Sequence, residues 1–210
     1  AQEGSATTDE QLESIISELQ EMEETSELQQ ESPYKADRYN ASYTMDHELI
    51  HTRLEVSFDW PNSRLDGKAM LTMRPWFYEQ DSVLLDAKGF DLHRVALVQP
   101  DGLVDLSYDY DEFQIHLALG RVFGRTDTFT LLIDYTAKPE ELPKGGSSAI
   151  TSDQGLYFIN PDGSIPDKTT QVWTQGETEA NSCWFPTIDK PNVRTTQEMF
   201  MTVDDKYVSL

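Results

Sequence analysis

Cys183 is the only cysteine in this 210-residue chain, so no internal disulfide can form and its thiol reads as a small buried apolar group. No apolar run approaches the roughly 20 residues of a membrane-spanning helix, and no signal peptide opens the chain. Positive charge is scarce. Sixteen Lys and Arg face 38 Asp and Glu, for a net charge of −22. The first 34 residues hold ten of the acids and no Lys or Arg, which leaves −12 on the rest. Such a balance repels phosphate backbones and anionic lipid surfaces, and it excludes nucleic-acid binding. Two familiar catalytic signatures are also absent: there is no G-x-S-x-G nucleophile turn, and "KGGSS" after Pro143 lacks the spacing and the strand-to-helix setting of a phosphate loop.

What is present falls into two parts, an acidic leader over 1–40 and a strand-rich domain over 41–210. In the leader, Thr8 and Gln11 make a capping box. Leu12, Ile15, Ile16, Leu19 and Met22 follow at helical spacing. The polar tract that runs on to Pro33 has the character of a linker, so the leader is expected to be solvated, helical or disordered, rather than a partner-binding helix. The start Ala1-Gln2-Glu3 has the small-residue look of a mature end after an export signal, which points to a periplasmic or extracellular product.

From about Tyr43 the pattern turns to alternation. Thr52, Leu54, Val56, Phe58 and Trp60 share one parity; so do Ala69, Leu71 and Met73, then Phe113, Ile115, Leu117 and Leu119, then Phe129, Leu131, Ile133 and Tyr135, and near the end Met199, Met201 and Val203. Asp-Gly pairs at Asp66, Asp101 and Asp162 and the "PNS" at Pro61 read as turns between strands. "KPEELPKGGSSAITS" from Lys138 reads as a surface loop. Short strands at this spacing predict a mostly β fold, an antiparallel sandwich or saddle of sheets. The chain stops at Leu210 inside an apparent strand pair, as a domain cut from a longer polypeptide would.

His47, Glu48 and His51 spell H-E-L-I-H, the zinc motif in which two His on one helical turn share an ion and the Glu serves as base. That chemistry needs a helix. The alternation beyond Ile50 is that of a strand, which would separate the two His by about 13 Å, whereas Zn–N bonds are about 2.0 to 2.1 Å. No helix start or glycine stop intervenes, and the match reads as coincidence. His93 and His116 read as surface residues on their strands.

The stretch from Gln171 to Val203 crowds Trp173, Trp184 and Phe185 around Gln175, Glu177, Asn181 and Asp189. Its Gln175-x-Glu177, Phe185-Pro186 and Asp189-Lys190-Pro191 resemble the motif of the zinc aminopeptidases of the aminopeptidase N type, in their N-terminal β domain. "HELIHTRLEVSFDW" and "GKAMLTMRPW" resemble that domain's first two strands. The resemblance spans about Tyr43 to Leu210 and implies a saddle-like domain preceding a C-terminal catalytic domain. It also implies that Glu177 binds the free α-amine of a peptide and that Gln175 lines the first side-chain pocket. The sequence departs from the pattern at Asn181-Ser182, where Ala-Arg is usual, at Thr187 for Cys and at Lys190 for Glu. In that family a zinc-binding Glu follows H-E-x-x-H after 18 residues; here that position is Met70, and no G-x-M-E-N occurs.

The expectation is therefore a non-catalytic domain with no metal or cofactor of its own. It would be inactive alone and would supply Gln175 and Glu177 to an active site whose zinc lies in an absent catalytic domain. Two rivals stand beside it: a free-standing β-sandwich module for protein binding, and, with least support, a working protease site at H-E-L-I-H.

Overall fold

The structure is a computed structural model that describes residues 44–143 and 154–209. The chain divides into two units, residues 1–42 and 43–210. The expected leader helix, and much of the loop expected after Lys138, lie outside the described residues.

Eleven strands are seen among the described residues: β1 (His47–Asp59), β2 (Arg64–Pro75), β3 (Gln80–Asp86), β4 (Phe90–Gln99), β5 (Gly102–Asp105), β6 (Tyr108–Tyr110), β7 (Gln114–Phe123), β8 (Phe129–Ala137), β9 (Leu156–Ile159), β10 (Gln171–Thr174) and β11 (Thr196–Thr202). They form a six-stranded sheet in the order β11-β1-β2-β8-β4-β5, a three-stranded sheet β3-β7-β6, and the hairpin β9-β10. Every pairing described is antiparallel except that of β1 with β11, which is parallel. The fold is the mostly β, sandwich-like arrangement that the alternation predicts.

The alternating apolar positions supply the core. Leu54, Val56, Ala69, Leu71, Met73, Phe129, Leu131, Ile133 and Tyr135 from the large sheet join Val83, Leu85, Ile115, Leu117 and Leu119 from the small one in a single buried cluster. Each large side chain taken fully from water contributes about 1.5 to 3 kcal/mol before chain entropy is subtracted. Cys183 is fully buried, as a small apolar group would be.

Two local expectations are corrected. Asp66-Gly67 is not a turn but lies within β2, and the chain reverses instead at residues 60–63. Gly67 stands opposite Tyr135 in the β2–β8 register; a Cβ there would come within 2.5 Å of the Tyr135 ring. The glycine makes room for that ring. Phe113, expected inside a strand, precedes β7 and is exposed.

Candidate functional site

The H-E-L-I-H residues lie in β1. The β1–β2 register slips between Leu49 and His51, leaving Ile50 as an extra residue. A bulge of this kind reverses the faces that follow it. His47 therefore points inward, 5% exposed, edge-on to the Phe129 ring at 6.0 Å. His51 points outward, its Nδ1 2.8 Å from Thr196 Oγ1 on β11. Glu48 Oε2 accepts from Arg74 Nε at 2.5 Å. With the two rings on opposite faces of one sheet and the Glu held in an ion pair, these residues do not fit a zinc ion. No other group of three or more potential ligand side chains among the described residues is placed to hold one.

Gln175 and Glu177 are brought together on the loop that leaves β10. The Gln175 backbone N–H donates to Gly155 O at 2.9 Å, extending the β9–β10 ladder by one rung. Gln175 is half-buried and Glu177 exposed, and neither side chain has a hydrogen-bond or ion-pair partner among the described residues. The residue between them is glycine because Asn181 packs on its backbone: a Cβ on Gly176 would sit 2.3 Å from Asn181 Oδ1.

Many other polar groups of this loop are engaged, although Ser182 Oγ and Trp184 Nε1 are buried without a partner among the described residues. Asn181 Nδ2 donates to Asp189 Oδ1 at 3.2 Å, and the Ser182 N–H donates to Asp189 Oδ2 at 2.8 Å. The Asp189 N–H in turn donates to Asp86 Oδ2 at 2.9 Å. Asp86, at the end of β3, also exchanges two backbone hydrogen bonds with Thr187, at 2.7 and 3.0 Å. Lys88 donates from its backbone N–H to Ser182 O at 2.8 Å and from Nζ to Glu179 O at 2.6 Å. From the large sheet, the Tyr135 hydroxyl donates to Trp184 O at 3.0 Å; full burial pushes its pKa up, so it stays a donor. Gly155, at φ +68°, lies where a Cβ would meet Ala180 O at 1.8 Å. Both main sheets and the hairpin thus clamp one loop.

The sequence departures are part of that clamp. Asn181 packs on Gly176 through its side chain, whereas Thr187 bridges to Asp86 through its backbone alone. Lys190 Nζ donates to Glu179 Oε2 at 2.6 Å, a bond that raises the lysine pKa. Glu179 is therefore neutralised, and Glu177 is left as the unpaired carboxylate of the pair. Sequence reading missed Asp86, Lys88 and Tyr135, which lie far from the loop in sequence and carry no motif. Trp184 and Phe185, read as site aromatics, are core residues, whereas Trp173 is exposed.

The peptidase M1 N-terminal domain matches residues 10–210. The chain belongs to that family. Among solved structures, this M1 domain resembles the M1 zinc metallopeptidase of Deinococcus radiodurans, with 15% identity and a TM-score of 0.59 over 73% of this chain and 32% of that one. It also resembles native yeast LTA4 hydrolase, with 18% identity and a TM-score of 0.55 over 83% and 26%. Legionella pneumophila aminopeptidase A, solved with aspartic acid, aligns at 15% identity and a TM-score of 0.52 over 76% and 16%. The M1 domain thus spans a third or less of these relatives. No curated protein matches it.

Proposed function

We propose that this M1 N-terminal domain serves a zinc-dependent aminopeptidase by recognising the free N-terminus of a peptide, with the metal, the base and the bond cleavage contributed by a C-terminal catalytic domain. The observation that carries the reading is the pair Gln175 and Glu177. On a loop tied by hydrogen bonds to three parts of the fold, these two side chains are unpaired among the described residues and open to solvent, whereas Ser182 Oγ and Trp184 Nε1, unpaired as well, are buried. A free carboxylate on a rigid support is the complement of an α-ammonium group, and a charge-assisted hydrogen bond is roughly twice as strong as a neutral one. The Gln175 amide, half-buried two residues away, has a donor and an acceptor to offer the first side chain or its backbone. Neither group can break a peptide bond, so the 210 residues alone are expected to show no turnover.

The test is steady-state kinetics on the full-length enzyme with Glu177→Gln, which keeps the shape and removes the charge. Hydrogen bonds to charged groups are worth about 1.5 to 3 kcal/mol, so kcat/KM for substrates with a free amine should fall by about tenfold or more. An unchanged kcat/KM would remove Glu177 from substrate recognition and favour the free-standing binding module.

A further inference from the structure

Alternation along β10 puts Gln171 and Trp173 on one face and Val172 on the other, where it packs on the core with Leu156 and Phe158; the Gln175 N–H bond to Gly155 O just past the strand end carries that alternation on to Gln175. Trp173 stands directly opposite Tyr157 in the β9–β10 register. Their rings are stacked at 4.6 Å with planes 17° apart. Trp173 nevertheless remains 47% exposed, so Tyr157 backs one face of the indole and leaves much of the ring open. Trp173 and Gln175 are two residues apart in extended chain, about 7 Å. A rigid aromatic wall therefore stands beside the unpaired amide of Gln175, on the face that carries it.

Charge narrows what that wall accepts. Between residues 154 and 180 the hairpin and loop carry four acids and one lysine; Glu179 is held by Lys190, which leaves Asp162, Asp167 and Glu177 against Lys168, within a chain of net charge −22. An acidic surround repels carboxylate side chains and draws cations. An open indole face binds guanidinium better than any other side-chain cation surface, because the ring quadrupole is negative over its face and Arg is planar and weakly hydrated.

We propose that Trp173, braced by Tyr157, forms a wall of the first side-chain pocket beside Gln175 and selects peptides that begin with a long cationic residue, arginine above lysine. This rests on the reading of Gln175 and Glu177 given above. The arginine guanidinium stacks on the open part of the indole and donates to the Gln175 side-chain carbonyl, while the α-ammonium is held by Glu177. Tyr157 acts through Trp173 and is a positioning residue.

The experiment is a panel of arginyl, lysyl, leucyl, phenylalanyl and alanyl amides assayed on the full-length enzyme as wild type, Trp173→Ala, Trp173→Phe and Glu177→Gln. A cation–π contact of this kind predicts that the arginyl-to-alanyl ratio of kcat/KM falls by about threefold to thirtyfold in Trp173→Ala. It should fall by less in Trp173→Phe, which keeps a ring and guards against a general loss of folding. An arginyl-to-alanyl ratio unchanged in Trp173→Ala overturns the proposal. So does a wall whose loss penalises phenylalanyl more than arginyl substrates, since that would make it an apolar pocket. Glu177→Gln separates the two claims: if it lowers every substrate while the ratio ignores Trp173, only the wall is wrong. If it lowers none, the underlying site is wrong and the wall falls with it.

Discussion

His47 shows how one bulged residue changes the chemistry open to a side chain. Were Ile50 an ordinary rung of the ladder, both histidines of the H-E-L-I-H stretch, four residues apart, would share a face; because it is bulged, His47 is turned inward and its Nε2 is buried without a partner among the described residues. The ring borders a cavity of about 120 Å³ shared with Asp46, Gln80, Ser82 and His116. Burial lowers its pKa below 6.5, and the Asp46 carboxylate offsets this in part. The unfolded chain, in which the ring titrates near 6.5, therefore takes up the proton first as pH falls. The His47 contribution to stability is whole above pH 6.5 and declines as pH drops toward the lowered folded-state value. Urea midpoints measured at pH 7.5 and 5.5 should show that decline in the wild type and a smaller one in His47→Phe, which keeps the ring contact with Phe129 and cannot titrate. Equal declines in the two would mean that His47 is not held neutral.

At the scale of elements, the hairpin β9-β10 meets the site loop through Gly155. Its φ of +68° and the 1.8 Å approach of a would-be Cβ to Ala180 O act together, so Gly155→Ala should cost more than about 1 kcal/mol. Hydrogen exchange at the Gln175 amide, whose acceptor is Gly155 O, should rise more than exchange in β8; a uniform change would mean that the hairpin and loop are not coupled there. This coupling also shows where sequence reading stops. β2 and β8 are legible because each buries one face against the core, and an alternating string such as Phe129, Leu131, Ile133, Tyr135 reports that directly. The Gln175-x-Glu177 pair is legible because its spacing matches a motif. The clamp is not legible, since Asp86 and Asp189 are 103 positions apart and no local pattern encodes their meeting. Gly67 misleads for a related reason: Asp-Gly is a turn signal only where no ring from another strand needs the space, and Tyr135 does.

For the whole molecule, the telling feature is β11. It pairs with β1 on one side, and its other edge has no strand partner among the described residues. The register sets Met199 beside Leu54 and Met201 beside Val56, so both methionines continue the apolar inner face of the sheet. Leu54 and Val56 are buried, whereas Met199 and Met201 are 47% and 46% exposed. An open edge strand bearing apolar side chains is a surface that further protein must cover or that promotes self-association. The M1 relatives, three or more times as long as the matched region, have chain to spare for such a cover. If the cover belongs to the same polypeptide, the 210-residue protein should self-associate in sedimentation as its concentration rises. Met199→Lys with Met201→Lys should then keep it monomeric, and the same pair of changes should destabilise the longer polypeptide that carries the cover by a few kcal/mol, as charged groups do when forced into a covered apolar seam. A 210-residue protein that stays monomeric, with substitutions neutral in both forms, would argue that β11 is a finished edge and that the module works on its own.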